Sequence, residues 1–108
     1  MKIWIDDIRS APDGYIWVKT VNYARQLITY INNNEDWMDE TIELIDIDHD
    51  AGEYRNQGGD YIKLLDWLEE TGRNYPIRIH SMNPVGVENM RRVIQRNGWT
   101  EVKDQRNI

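Results

Sequence analysis

The sequence predicts a three-layer α/β domain built on an open, mostly parallel sheet. Three observations predict it. Short apolar stretches and amphipathic stretches alternate as β-β-α-β-α-β-α-β, and strands joined through helices of about ten residues or more return as right-handed parallel crossovers. The third and fourth strands carry almost no polar alternation, as in strands covered on both faces. Polar residues collect directly after the strands, at the carboxyl edge where open α/β sheets hold their ligands.

Each element has its own signal. Lys2–Ile5 is a short apolar strand that stops at Asp6-Asp7. Ser10-Ala11-Pro12-Asp13-Gly14 is turn chemistry, and Tyr15–Lys19 reads as a second strand rich in β-branched and aromatic residues. Thr20 is placed to cap a helix whose Ala24, Leu27, Ile28 and Ile31 share one face, with Asn32-Asn33-Asn34 ending it. Thr41–Ile47 is the strongest strand and runs into Asp48-His49-Asp50. After a polar loop, Ala51–Gly59, a helix spans about Asp60–Thr71, with Tyr61, Leu64, Leu65 and Leu68 inward and Gly72 as the stop. Pro76 opens a strand, Ile77–His80. The loop Ser81–Gly86 leads to a helix from Val87 to Arg96 that buries Met90, Val93 and Ile94. Asn97-Gly98 closes that helix, and Trp99–Lys103 is a candidate last strand.

Composition narrows the function classes. The 108 residues suit one domain, 1–108, and 40% hydrophobic content supports a core. Cysteine is absent, which excludes disulfides, thiolate zinc sites and thiol catalysis. No apolar run approaches the roughly 20 residues of a membrane span. Acid at Asp6 comes too early for a signal peptide, so the expected location is cytoplasmic. The net charge of −6 disfavours non-specific binding to nucleic acid, whose phosphates it repels. The excess acid lies in the first half of the chain, and a small phosphorylated ligand is admissible only where a cation or local arginines offset it.

The polar residues at the strand ends form the candidate site. Asp6 and Asp7 end the first strand, Asp48, His49 and Asp50 the third, and His80, Ser81 and Asn83 the fourth. In a doubly wound sheet these strands are neighbours, so three segments converge. Crowded carboxylates need a cation or a shared proton. An all-aspartate set suits Mg²⁺ or Mn²⁺, and added histidine tilts towards a transition ion. Each segment also has a plainer reading: a turn or cap for Asp6-Asp7, an Asx turn for Asp48–Asp50, and a satisfied buried imidazole for His80. Asp46, mid-strand, reads as a structural hydrogen-bond acceptor. Asn83-Pro84-Val85-Gly86 enters a helix whose free N–H groups favour an anion, or is a plain Asn-capped helix start. Arg91, Arg92 and Arg96 read as a solvated face, and Met82 and Met90 as packing residues. Arg55 has nothing local to fix it over the site. No P-loop, nucleophile elbow or His-Glu-x-x-His motif is present. His80 and Ser81 point to opposite faces, which argues against a nucleophile pair.

Three strings together carry a resemblance: Ile5-Asp6-Asp7-Ile8-Arg9, Ile47-Asp48-His49-Asp50-Ala51-Gly52, and His80-Ser81-Met82-Asn83-Pro84-Val85-Gly86-Val87-Glu88-Asn89-Met90. In this order and spacing the chain resembles the cyclic-phosphate processing receiver domains, a divergent branch of the two-component receivers. The resemblance implies a flavodoxin-like receiver fold with strand order 2-1-3-4-5. Ile8–Gly14 is too short for the first receiver helix, and too few residues follow Lys103 for the last. Asp6-Asp7 would match the acidic pair that binds Mg²⁺, Asp48 the phosphoacceptor or a metal ligand, Ser81 the receiver Ser/Thr, and Lys103 the receiver lysine. Val87 stands where the family commonly has Arg, which removes one phosphate contact.

Two classes of function follow. The first is a metal-dependent phosphoesterase acting on a small cyclic phosphate, such as a cyclic nucleotide or a 2′,3′-cyclic RNA end. In it Asp6, Asp7 and Asp48 hold Mg²⁺ or Mn²⁺, His49 or His80 serves as acid or base, and Asp50 orients one of those imidazoles or joins the metal shell. Ser81, Asn83, Gly86 and Asn89 meet the phosphate. The second is a non-catalytic receiver-like module that binds a phosphorylated ligand or a protein partner.

Overall fold

A computed structural model of the chain describes residues 1–33 and 41–103. In chain order it contains β1 (Lys2–Ile5), β2 (Tyr15–Val18), α1 (Val21–Asn33), β3 (Leu44–Ile47), a 3₁₀ turn (Gly52–Tyr54), α2 (Ile62–Glu70), β4 (Ile77–Ile79) and α3 (Pro84–Arg96). The four strands form one parallel sheet in the order β2-β1-β3-β4. This is the α/β receiver-like arrangement. The expected fifth strand survives as a single parallel bridge between Ile77 and Glu101, so it lies beside β4. Asn34, and the stretch after Lys103 where no last receiver helix is expected, lie outside the described residues.

Local chemistry sets the boundaries. The Thr20 hydroxyl accepts the Tyr23 N–H at 3.0 Å and caps α1, as its position in the sequence suggests. The last helix departs from expectation: α3 starts at Pro84, three residues before Val87. Pro84 fits the first helical position because its missing N–H has no partner to lose there, and the Asn83 side chain accepts from the Gly86 N–H at 3.0 Å as the cap. The loop after β4 is therefore shorter than the sequence suggested. Residues 7–14 form no helix, and β1 passes to β2 through turns alone.

The helices share one core. Ile3, Ile5, Val18, Ile45, Ile47 and Ile77 project from the sheet into a single buried cluster. That cluster also holds Ala24 and Ile28 of α1, Leu64, Leu65 and Leu68 of α2, and Met90, Val93 and Ile94 of α3. Burying each of the valine, leucine, isoleucine and methionine side chains favours the fold by about 1.5–3 kcal/mol. Trp4, Asp46 and Arg78 alternate with these residues and sit in register across β1, β3 and β4 on the opposite face. Among the described residues no helix packs on that face. Among the described residues its cover is a layer of side chains, and residues 7–14 supply no first receiver helix.

The ladder also runs one residue past three strands. The Asp48 N–H donates to Ile5 O at 2.9 Å, the His80 N–H to Ile47 O at 3.0 Å, and the Asp6 N–H to Val18 O at 3.2 Å. These bonds bring Asp6, Asp48 and His80 together at the carboxyl edge. No helix of the described residues is long and apolar enough to cross a membrane.

Candidate functional site

Asp6 ends β1 by turning the chain. Its Oδ1 accepts the Ile8 and Arg9 N–H groups, each at 2.9 Å, in an Asx-type turn. Its Oδ2 lies 2.9 Å from His80 Nε2. Burial raises the Asp6 pKa, but the two N–H groups and His80 outweigh it and hold the carboxyl below its usual value. Asp7 differs. Burial first, then the neighbouring Asp6 and Asp48 carboxylates, push its pKa up.

The Asp6, Asp7 and Asp48 carboxylates each bring an oxygen within 4.8 Å of the others. Three oxygen donors this close, one of them held above its usual pKa by burial and by its neighbours, could hold a metal ion. Gly52, at φ +56°, supports this geometry, because a Cβ there would run into the Asp7 carboxylate.

The carboxylates open into a cleft of about 300 Å³ lined by Asp7, Ile8, Arg9, Asp48, Asp50, Ser81, Met82 and Asn83. A larger groove of about 600 Å³ lies between α1 and α2 around Arg25 and Trp67, away from the acidic cluster. The smaller cleft is where acid, amide and hydroxyl groups converge, so it is the candidate site.

His49 stands beside it. Its Nδ1 is 2.8 Å from Asp50 Oδ1, and Asn83 Nδ2 donates to both oxygens of Asp50 at 3.3 and 3.4 Å. The imidazole lies directly over Gly86, where an added Cβ would come within 2.7 Å of Cδ2 and 2.8 Å of Nδ1. Any side chain at position 86 would therefore displace the ring. His49 Nε2 makes no hydrogen bond to a described residue; the side chain is 15% exposed and stands behind Asp50 without lining the cleft itself.

The second histidine is placed differently. The His80 side chain is 5% exposed and stacks flat on the Trp4 indole, with centroids 3.8 Å apart and planes 4° apart. Its Nδ1 lies 2.7 Å from Asp46 Oδ1, and its Nε2 already faces Asp6. Asp46 is fully buried, and its Oδ2 accepts from Arg78 Nη1 at 3.3 Å and from the Tyr15 hydroxyl at 3.4 Å. Both His80 nitrogens are thus engaged by carboxylates, and His80 does not line the cleft.

Other expected site residues divide. Ser81 and Asn83 line the cleft, with the Ser81 hydroxyl accepting the Asn83 N–H at 3.1 Å. Gly86 does not: its N–H is taken by Asn83 and its Cα lies under His49. Asn89 stands further along α3, where its side chain accepts from Arg92 at 3.4 Å. The helix start is therefore already capped, which leaves little of its anion-binding capacity free. Lys103 pairs with Glu101 at 2.9 Å rather than reaching the acidic cluster. Arg91 and Arg96 pair with Glu101 and Glu69, and Arg55 is exposed outside the cleft. Met90 packs in the core as expected, but Met82 is 82% exposed on the cleft rim. Sequence reasoning missed Arg9, a cation lining the cleft whose Nη1 donates to His80 O at 3.1 Å. Its place directly after the Asp-Asp-Ile string is the signal that pointed to it.

The family model of the cyclic-phosphate processing receiver domain matches residues 1–96. The chain belongs to that family. The match spans all four strands, α1, α2 and α3, and every residue that lines the cleft. No curated protein and no solved structure matches the chain.

Proposed function

We propose that this receiver-like domain is a divalent-metal-dependent phosphoesterase that opens a small cyclic phosphate. The observation that carries the reading is the juxtaposition of the Asp6, Asp7 and Asp48 oxygens, within 4.8 Å of one another, with a cleft whose wall includes Asp50, the partner of His49 Nδ1. Mg²⁺ or Mn²⁺, when bound, would polarise a phosphoryl oxygen and lower the pKa of a coordinated water.

The chain's own groups do the rest. Asp7 and Asp48 offer the more accessible ligand oxygens, and Asp6 adds the remaining lone pair of Oδ2. Asp50 orients His49 through Nδ1, so that Nε2 exchanges a proton with the attacking water or the departing ester oxygen. Arg9, Ser81 and Asn83 line the space for the phosphate and supply N–H and O–H donors. His80, with both nitrogens occupied, holds Asp6 instead of moving a proton. A phosphoacceptor module is less well supported, because Lys103 is paired elsewhere.

The test is ³¹P NMR of the purified protein with 2′,3′- and 3′,5′-cyclic nucleotides under Mg²⁺, Mn²⁺ or EDTA, beside Asp48→Asn. Ring opening that requires both the metal and Asp48 is expected. Ring opening that persists in EDTA and in Asp48→Asn would overturn the metal role. A spectrum unchanged throughout would overturn the esterase reading.

A further inference from the structure

We infer that Asp46 and His80 are positioning residues for metal binding, acting through Asp6 across the helix-free face of the sheet. The inference rests on the metal reading of the Asp6, Asp7 and Asp48 cluster. A continuous hydrogen-bonded chain carries it: Arg78 Nη1 to Asp46 Oδ2 at 3.3 Å, Asp46 Oδ1 to His80 Nδ1 at 2.7 Å, and His80 Nε2 to Asp6 Oδ2 at 2.9 Å.

Each member is fixed by something else as well. Asp46 and Arg78 are in register on β3 and β4, so the strand pairing sets their separation. Trp4, in register with Asp46, forms the floor on which the His80 ring lies. Asp46 is 0% exposed, Asp6 1%, and the His80 side chain 5%, so water does not compete for these bonds. A carboxylate this buried is costly unless paired, and the pairing it finds leads to a metal-cluster residue.

The consequence for Asp6 is geometric. Its Oδ1 has both lone pairs occupied by the Ile8 and Arg9 N–H groups, so any metal contact falls to Oδ2. His80 Nε2 takes one lone pair of Oδ2 and so determines where the other points. Outer partners that orient a ligand in this way typically contribute 10–100-fold to metal affinity. The Arg78–Asp46–His80 chain therefore sets how well the cluster holds a divalent ion, although Asp46 and Arg78 line no part of the cleft.

Mn²⁺ titration of the full chain, read by electron paramagnetic resonance, tests this with Asp46→Asn, Arg78→Gln, Leu68→Ala and Asp48→Asn beside the wild type. Urea unfolding of each variant runs in parallel. Asp46→Asn keeps the shape and an acceptor oxygen but loses the charge, and its Mn²⁺ affinity is expected to fall at least about tenfold. Arg78→Gln is expected to lower affinity by a smaller factor. Leu68→Ala, destabilised in the core far from the chain, is expected to bind Mn²⁺ as the wild type does. Affinity unchanged within about twofold in a folded Asp46→Asn, with Asp48→Asn binding abolished, overturns the positioning role and leaves the metal reading standing. Should Asp46→Asn fail to fold, Arg78→Gln decides: reduced affinity supports the inference and unchanged affinity overturns it. A wild type that binds no Mn²⁺ overturns the metal reading and this inference with it.

Discussion

The two histidines show how one side chain takes two roles according to its neighbours. His49 keeps one ring nitrogen without a hydrogen bond to a described residue, because Gly86 leaves the ring room and Asp50 engages only Nδ1. His80 is occupied at both nitrogens and covered by Trp4. Gly86→Ala tests the first arrangement. Alanine suits a helix better than glycine, so the fold is expected to persist, but its Cβ would displace the imidazole. A misplacement of about 1 Å costs on the order of 10²-fold in rate, so cyclic-phosphate turnover is expected to fall by that order, with a shifted His49 NMR signal. Turnover and His49 signal both unchanged would show that His49 does not act from this position.

At the scale of elements, helix contacts outside the core carry their own pH dependence. Glu69 of α2 accepts from Arg96 and Asn97 at the end of α3, and those bonds, with the Arg96 charge, hold its pKa down to about 2 from 4.5. Between these values the folded chain binds this proton less than the unfolded chain does. The stabilisation is complete above pH of about 4.5 and is lost as pH falls towards 2. Urea unfolding across that range is expected to show a flatter acid limb in Glu69→Gln than in the wild type. Most elements were legible in the sequence because local signals fix them: the Thr20 cap, the apolar face of α2, the strand run ending at Asp48. The start of α3 was placed three residues late, because Asn83–Gly86 stayed open between an Asn-capped start and an anion-binding loop, and the capped start is the one found. The convergence of Asp6, Asp48 and His80 was legible from strand-end positions. The Asp46–His80 bond was not, since it depends on the register of β3 against β4. Asp46, Arg78 and His80 do interrupt the isoleucines of these strands, and the reading of both strands as covered on both faces passed over that pattern.

At the scale of the whole molecule, the acidic cluster sets carboxylate repulsion against fold stability, and a cation bound there would relieve it. Mg²⁺ at about 100 times its Kd is expected to stabilise the fold by about 2.7 kcal/mol. In a domain of this size that raises Tm by several degrees, and EDTA is expected to reverse the rise. A Tm indifferent to Mg²⁺ and Mn²⁺ would count against a resident ion. The stack of His80 on Trp4 has a further consequence, in magnetic terms. An indole lying flat against an imidazole shields its carbon-bound protons through the ring current, so the His80 Hε1 resonance moves upfield. The chain has only two histidines, and the other ring lies over a glycine. A one-dimensional proton spectrum of unlabelled protein therefore separates the two, and the molecule reports on both sides of its own site without a probe attached.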